Sequence, residues 1–334
     1  MAVALTLTRL LCAAGLLLSM LVMAPAGAAP VVVDANTGVL VVTPDRGFLG
    51  NEEVRDAFDA FAKDRNAALL YVTDERSEKI LDQALAQLKG QGAGRIEVLP
   101  LVMSTADARW KLADGWLQAR RRQGVKLAIA KPYGDSYLAV EDLSARLRNQ
   151  HTDKRRLLLL GYGADSVDGA ATMREHLKRM GGFASTLAPD AIDAAVYPMR
   201  KAADAETLRK QMNDMVRAAH GALVVPVAFA PRDDSMMDFS HWFSDDLPKD
   251  AEIIDSPIAD SGALAQWMQR AAIESSLQFA PIASSQVGVV ALAHGADWFW
   301  NRDIEQALAA VATRHKLAYA FSMADPPVVE RAVR

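Results

Sequence analysis

The sequence predicts an α/β protein made of two duplicated domains, each a parallel sheet flanked by helices, with a partial third unit at the end. Three observations lead there. From Gly38 onward, strand-like and helix-like segments alternate, which is the signature of a parallel sheet with covering helices. A short apolar run that ends at a tight turn ahead of a helix occurs three times: Val41 to Pro44 ahead of Asn51, Leu157 to Tyr162 ahead of a helix near Ala170, and Val289 to His294 ahead of Asn301. The halves also share residues in matched order. Leu99, Pro100, Leu101 answers Val225, Pro226, Val227, and Pro132, Asp135, Ser136 answers Pro257, Asp260, Ser261, with the prolines 32 and 31 residues apart. A repeat of roughly 120 to 130 residues is too long for a solenoid unit and suits a duplicated domain.

The first unit, 38–150, opens with a buried strand from Val39 to Thr43. Asn51 is read as the N-cap of a helix whose apolar face is Val54, Ala57, Phe58 and Phe61. Ala68 to Val72 is the second strand, and Ile80, Ala84, Leu85 and Leu88 form the next helical face. Arg95 to Val102 is the third strand. A helix from Ala108 to Arg120 precedes a fourth strand at Val125 to Ala130, and Leu138 to Leu147 closes the unit. The second unit, 155–278, repeats this plan: strand Leu157 to Leu160 running into Gly161, helix Ala171 to Met180, strand Ala194 to Pro198 and helix Ala205 to Ala219. Strands at Ala222 to Phe229 and Ala251 to Ser256 follow, then a closing helix from Ala263 to Ser276. The third unit, 287–334, has a strand to Ala293, a helix from Asn301 through Val311, a strand from Leu317 to Phe321, and a short helix opened by Pro326 and Pro327. Half a unit is too small to complete its own sheet. It is expected to dock on an earlier unit, to pair with another copy as a homo-oligomer, or to belong to a longer polypeptide.

Residues 1–28 read as a cleavable secretory signal. Arg9 supplies the positive start, Leu10 to Met23 is apolar apart from Ser19, and Ala26, Gly27, Ala28 form a small-residue cleavage site. That run is about 14 residues, short of the roughly 20 a membrane span needs, although an uncleaved anchor is the plainer alternative. The expected location is therefore periplasmic or secreted, with no stable membrane insertion after signal removal. Cys12, the one cysteine, lies in this segment, so the mature chain is expected to lack disulfides, thiolate metal sites and a cysteine nucleophile. The formal net charge is −4, and loss of Arg9 makes it more negative. That surface gives no electrostatic case for nucleic acid.

Candidate chemistry centres on the third repeat of the strand-turn pattern, because only that copy carries histidine at the turn. Strand ends are where open α/β sheets place ligand chemistry, and histidine is the usual side chain for proton transfer and metal ligation near neutral pH. The crowding of Gly90, Gly92 and Gly94 suggests a phosphate loop, but these glycines precede a strand, so a helix stop and turn is the better reading. No nucleotide is expected. His241 among Asp233, Asp234, Asp238, Asp245 and Asp246 lacks a recognised ligand spacing and reads as a solvated loop. Arg120 to Arg122 read as a solvated helix end. His176 lies on a helical segment with no partner pattern.

These motifs resemble the class II tetrapyrrole metal chelatases of the sirohydrochlorin cobaltochelatase, or CbiX, type. That family's pattern is a strand ending in a His-Gly-small turn, an Asn seven residues later, a third strand ending in Pro, and a fourth ending near Pro with Gly and Asp. His294, Gly295 and Asn301 fit the first part, and Ala320, Phe321, Ala324, Pro326 and Pro327 fit the second strand and its exit. Gly94 to Met103, and Ala128 to Leu138 with Pro132, Gly134 and Asp135, fit the later parts in unit one. The resemblance covers nearly all of the mature chain, in pieces. It departs at the chemistry: Pro44 and Tyr162 occupy the histidine position in units one and two. Ser104 to Trp110 also lacks the second histidine, with Ala108 near its expected place.

The resemblance implies insertion of a divalent metal, cobalt first and iron or nickel next, into a sirohydrochlorin-type tetrapyrrole. His294 would accept a pyrrole proton or hold the metal, with Asp297 as a second metal ligand and Glu305 assisting catalysis. Trp298, Phe299 and Trp300 would wall a planar macrocycle, and Tyr162 would point a hydroxyl into the cleft. Plainer readings stand beside each. His294 caps a turn, Asp165 and Asp297 initiate helices, the Trp298 to Trp300 cluster is a docking face, and Tyr162 is packing. Two functions follow: an exported metallochelatase, or a non-catalytic periplasmic metal- or tetrapyrrole-binding protein on the same scaffold. A bilobed solute-binding protein fits export and two lobes but leaves the shared Pro, Asp and Ser positions unexplained.

Overall fold

The computed structural model describes residues 36–148, 150, 156–185, 187–233, 236, 238–254, 261–279, 288–293, 298–313, 315–321 and 331. It is an α/β structure of parallel sheets flanked by helices. The first sheet is built from β1 (Thr37–Pro44), β2 (Ala67–Val72), β3 (Arg95–Pro100) and β4 (Leu127–Ile129), in the order β2-β1-β3-β4 and parallel throughout. Val42 of β1 lies between Leu70 of β2 and Pro100 of β3. Every residue of β1 is buried. That explains its unbroken apolar reading, since a central parallel strand is covered on both faces.

The second sheet repeats the order with β5 (Leu157–Ala164), β6 (Ile192–Pro198), β7 (Leu223–Pro226) and β8 (Glu252–Ile253) as β6-β5-β7-β8. In both sheets the chain reverses its direction of travel beside the first strand, so the crevice past the ends of β1 and β3, or of β5 and β7, is the topological switch point.

Helices α1 (Gly47–Ala62), α2 (Ser77–Gly90) and α3 (Ala108–Arg122) accompany the first sheet. α1 starts five residues earlier than the N-cap reading of Asn51 implies, with its N-cap at Arg46. Gly47, at φ 77°, turns the chain directly into the helix. Asn51 sits one turn inside, where its side chain accepts from the Arg46 amide and donates to Asp45. α2 ends at Gly90 and Gly92 turns at φ 98°, a helix stop and not a phosphate loop. Arg120 is no solvated helix end. It bonds Glu78 and Asp82 on α2 and ties the two helices together.

The closing helices exchange partners. α4 (Tyr137–Leu147) leaves the first sheet to pack on α5 (Val167–Ala184), which covers the second. In return α8 (Ser261–Ser276), which follows α6 (Ala205–Arg217), the short α7 (His241–Ser244) and β8, packs on α1 and against β3 and β4. Beyond it, Gln278 donates to the Ile129 carbonyl, and Arg95 covers the Phe279 ring. One hydrophobic core therefore runs through both sheets: Val54, Ala57 and Phe61 of α1 join Leu264, Trp267 and Met268 of α8, and Leu143 of α4 joins Met173 and Leu177 of α5. Tyr133, fully buried, sits edge-on to both Phe229 and Trp267 where the exchanged segments cross.

The remaining described segment is a separate parallel pair, β9 (Gly288–Ala293) and β10 (Lys316–Phe321), with α9 (Trp298–Ala307) and α10 (Ala309–Ala312) between them. No residue of β9, α9 or α10 is buried. Pro326, Pro327 and the signal-like segment 1–28 lie outside the described residues. Among the described residues no helix is long and apolar enough to cross a membrane.

Candidate functional site

The two switch points meet in a buried polar knot. It starts at Asp107, which ends the exit from β3 and caps α3 by accepting from the Arg109 amide. The same carboxylate takes two bonds from the Arg109 guanidinium, Nε to Oδ1 at 3.3 Å and Nη2 to Oδ2 at 3.0 Å. Both residues are buried, Asp107 at 4% and Arg109 at 3% exposure.

Arg109 reaches from this pair to three strand exits. Nη1 donates to the Asp45 carbonyl just past β1, at 3.1 Å, and Nη2 donates to the Phe229 carbonyl past β7, at 3.2 Å. Its guanidinium carbon lies 5.0 Å from the centroid of Tyr162 in β5. A planar fork with five donors suits such a junction. Gly163, next to Tyr162, has φ 107°, and a Cβ there would lie 2.5 Å from Asp107 Oδ2. The position needs glycine for both conformation and space.

A second arginine repeats the arrangement. Arg46, also buried, donates to Glu53 at 3.1 Å, to the Gly50 carbonyl and, across the units, to the Ala230 carbonyl. Glu53 is shared with Arg232 at 2.8 Å, and the Arg232 amide donates to the Arg46 carbonyl at 2.7 Å. Burial pulls the Arg46 pKa down while Glu53 pushes back; a guanidinium stays charged throughout the working range.

The Asp45 carboxylate is held by the Gly47 amide, Asn51 and Thr73. Burial pushes its pKa up, but these hydrogen bonds and the charge of Arg109 leave it below the usual carboxylate value. Asp165 past β5 pairs with Lys111 of α3 at 2.9 Å. The N-cap of α5 is Ser166, which accepts from Gly169.

The sequence-derived candidates fall in three places. Tyr162 is 8% exposed, with its ring packed against Phe239 and Trp242 as well as Arg109, and burial raises its pKa. Trp298 and Trp300 are exposed at 64% and 50% on the first turn of α9, and Glu305 is exposed on the same helix. His294 and Asp297 lie outside the described residues. Among the described residues no group of three or more His, Cys, Asp or Glu side chains is placed to hold a metal ion. Of the acidic loop, Asp238 accepts from Ser240 and from the Asp233 amide, and Asp246 pairs with Arg217.

Residues the sequence reading passed over carry the site: Asp107, Arg109, Arg46, Glu53 and Arg232. The available signal was charge inside otherwise apolar strand exits. His176 on α5, without a partner pattern in the sequence, finds partners in the fold. Its Nε2 lies 3.1 Å from the Gly134 carbonyl and 3.3 Å from Asp135 Oδ1.

No family model matches the chain, and no curated protein matches it. Solved structures do. SirB from Bacillus subtilis with Fe3+ aligns at 13% identity and a TM-score of 0.49, over 74% of this chain and 98% of that one. The sirohydrochlorin chelatase SirB from Bacillus subtilis subspecies spizizenii in complex with cobalt aligns at 14% identity and 0.43, with the same coverages. A periplasmic ribose ABC transporter protein from Conexibacter woesei aligns at 14% and 0.31, over 90% and 86%.

Proposed function

We propose that this chain is an exported, chelatase-like protein that binds a sirohydrochlorin-type tetrapyrrole without inserting metal. The motif order around Pro100, Pro132 and His294 supports the tetrapyrrole class. The observation that carries the non-catalytic reading is the Asp107–Arg109 pair, whose guanidinium ties the strand exits at both switch points together. Where the resemblance calls for histidine, this chain has Pro44, without a titratable group, and Tyr162, buried under a permanent cation. Neither position supplies a base near neutral pH, and metal insertion requires two pyrrole N–H protons to be accepted.

The test is an absorption titration of the mature chain with metal-free sirohydrochlorin. Saturable spectral change at stoichiometric ratio supports the reading, and a spectrum identical to that of free ligand at every protein concentration overturns it. A second reading, insertion of cobalt by His294 with Asp297 and Glu305, is favoured by one observation. Trp298, Phe299 and Trp300, directly after that turn, are exposed and so accessible to a macrocycle.

A further inference from the structure

The exchange of closing helices leaves a groove between α4 and α5 that the polar knot does not use. Its cavity of about 660 Å³ is lined from the first unit by the Gly134–Tyr137 turn and by Val140, Glu141 and Ser144 of α4. From the second unit it is lined by His176, Arg179, Met180 and Phe183 of α5. That volume is in the range of small-molecule sites. We infer that this groove is a binding site for a planar, carboxylate-bearing ligand, the tetrapyrrole of the proposed function being its occupant; the inference rests on that reading.

Three features carry it. The walls are aromatic and unusually open, with Tyr137 exposed at 54% and Phe183 at 73%. A ring system laid between them would cover apolar surface that nothing else in the described chain covers. Tyr137 is also braced: Arg270 of α8 lies 4.9 Å from its ring centroid, and Tyr137 and Arg270 line a further cavity of about 170 Å³ with Lys131 and Trp267.

Cations stand at the rim. Arg179 is 64% exposed and only loosely tied to Asp135, at 3.6 Å. Its fork can turn to a carboxylate, which it would hold by two charge-assisted bonds. Lys131 and Arg270 add positive charge at the second cavity that Tyr137 lines.

His176 is held from one edge. Both groups near its Nε2, the Gly134 carbonyl and the Asp135 carboxylate, are acceptors, so that nitrogen is the donor. The ring lines the cavity, and in its neutral form Nδ1 would accept from a pyrrole N–H.

The experiment follows binding of sirohydrochlorin by its absorption and by quenching of tryptophan fluorescence, in the full mature chain and in Arg179→Ala and Phe183→Ala. Both side chains are largely exposed, so the variants should melt with the wild type, and a thermal melt checks this. Each variant is expected to weaken binding about tenfold, the loss of one charge-assisted contact or one ring face. Arg179→Lys should recover part of the loss, and Glu252→Gln, on β8 and outside the groove lining, should bind as the wild type does. Wild-type binding that neither Arg179→Ala nor Phe183→Ala changes would overturn the groove and leave the proposed function standing. Absence of wild-type binding would overturn both.

Discussion

Removing the Arg109 side chain should cost far more than removing any surface charge on this protein. In Arg109→Ala the Asp107 carboxylate, 6% exposed at its side chain, loses both guanidinium bonds and stays buried. The Asp45 and Phe229 carbonyls lose the donor that joins them across the units. Breaking a buried pair from one side costs about 3–5 kcal/mol, a large share of the roughly 5–15 kcal/mol that holds a domain folded. Lys111→Ala breaks the neighbouring pair to Asp165, whose partners are 41% and 39% exposed, and should cost about 1 kcal/mol or less. Urea denaturation followed by tryptophan fluorescence compares the two directly. A double variant, Asp107→Ser with Arg109→Met, keeps an α3 N-cap while removing the orphaned carboxylate, and should recover at least part of the loss. Arg109→Ala within about 1 kcal/mol of wild type would refute the argument that this pair locks the switch points.

Three further outcomes follow from the same knot. Gly163→Ala should destabilise by at least about 2 kcal/mol, because it combines a left-handed φ with a clash on Asp107; a melt unchanged from wild type would contradict this. Tyr162→Phe should leave both stability and tetrapyrrole binding near wild type, since the ring makes the contacts, whereas Tyr162→Ala should cost about 3–5 kcal/mol through the cavity it leaves; equal losses in the two variants would show that the hydroxyl matters. Asp45 has a folded pKa below its unfolded one, so its contribution is complete above the unfolded carboxylate value of about 4 and disappears as pH falls through the folded pKa. Melting temperatures of wild type and Asp45→Asn should therefore differ near neutral pH and converge in acid, and a gap that stays constant down to the acid limit would count against that assignment.

The sheets were legible in the sequence because parallel strands buried on both faces need continuous apolar runs. Leu157 to Leu160 and Val39 to Val42 have no other economical reading. The exchange of α4 and α8 was not legible. A helix with Leu138, Leu143 and Leu147 inward shows the same periodicity whether it covers its own sheet or its neighbour's. The knot was hidden for a related reason. Asp107 and Arg109, two residues apart across a helix start, look like an exposed pair until the exits of β1, β5 and β7 close around them. The start of α1 was missed because Gly47 and the Asp45 carboxylate, not Asn51, organise the turn. His176 acquires its partner only when the Gly134 turn of the first unit meets α5 of the second.

The measurement closest to the central claim is the initial rate of cobalt insertion into sirohydrochlorin at neutral pH, with the purified mature chain at concentrations that bind the tetrapyrrole. The account predicts a bound spectrum that converts to the cobalt form no faster than free tetrapyrrole does in buffer, in wild type and in His294→Ala alike. A rate that rises in proportion to wild-type protein and falls to the buffer rate in His294→Ala would contradict it, and would make this chain a chelatase working from its third strand-turn alone.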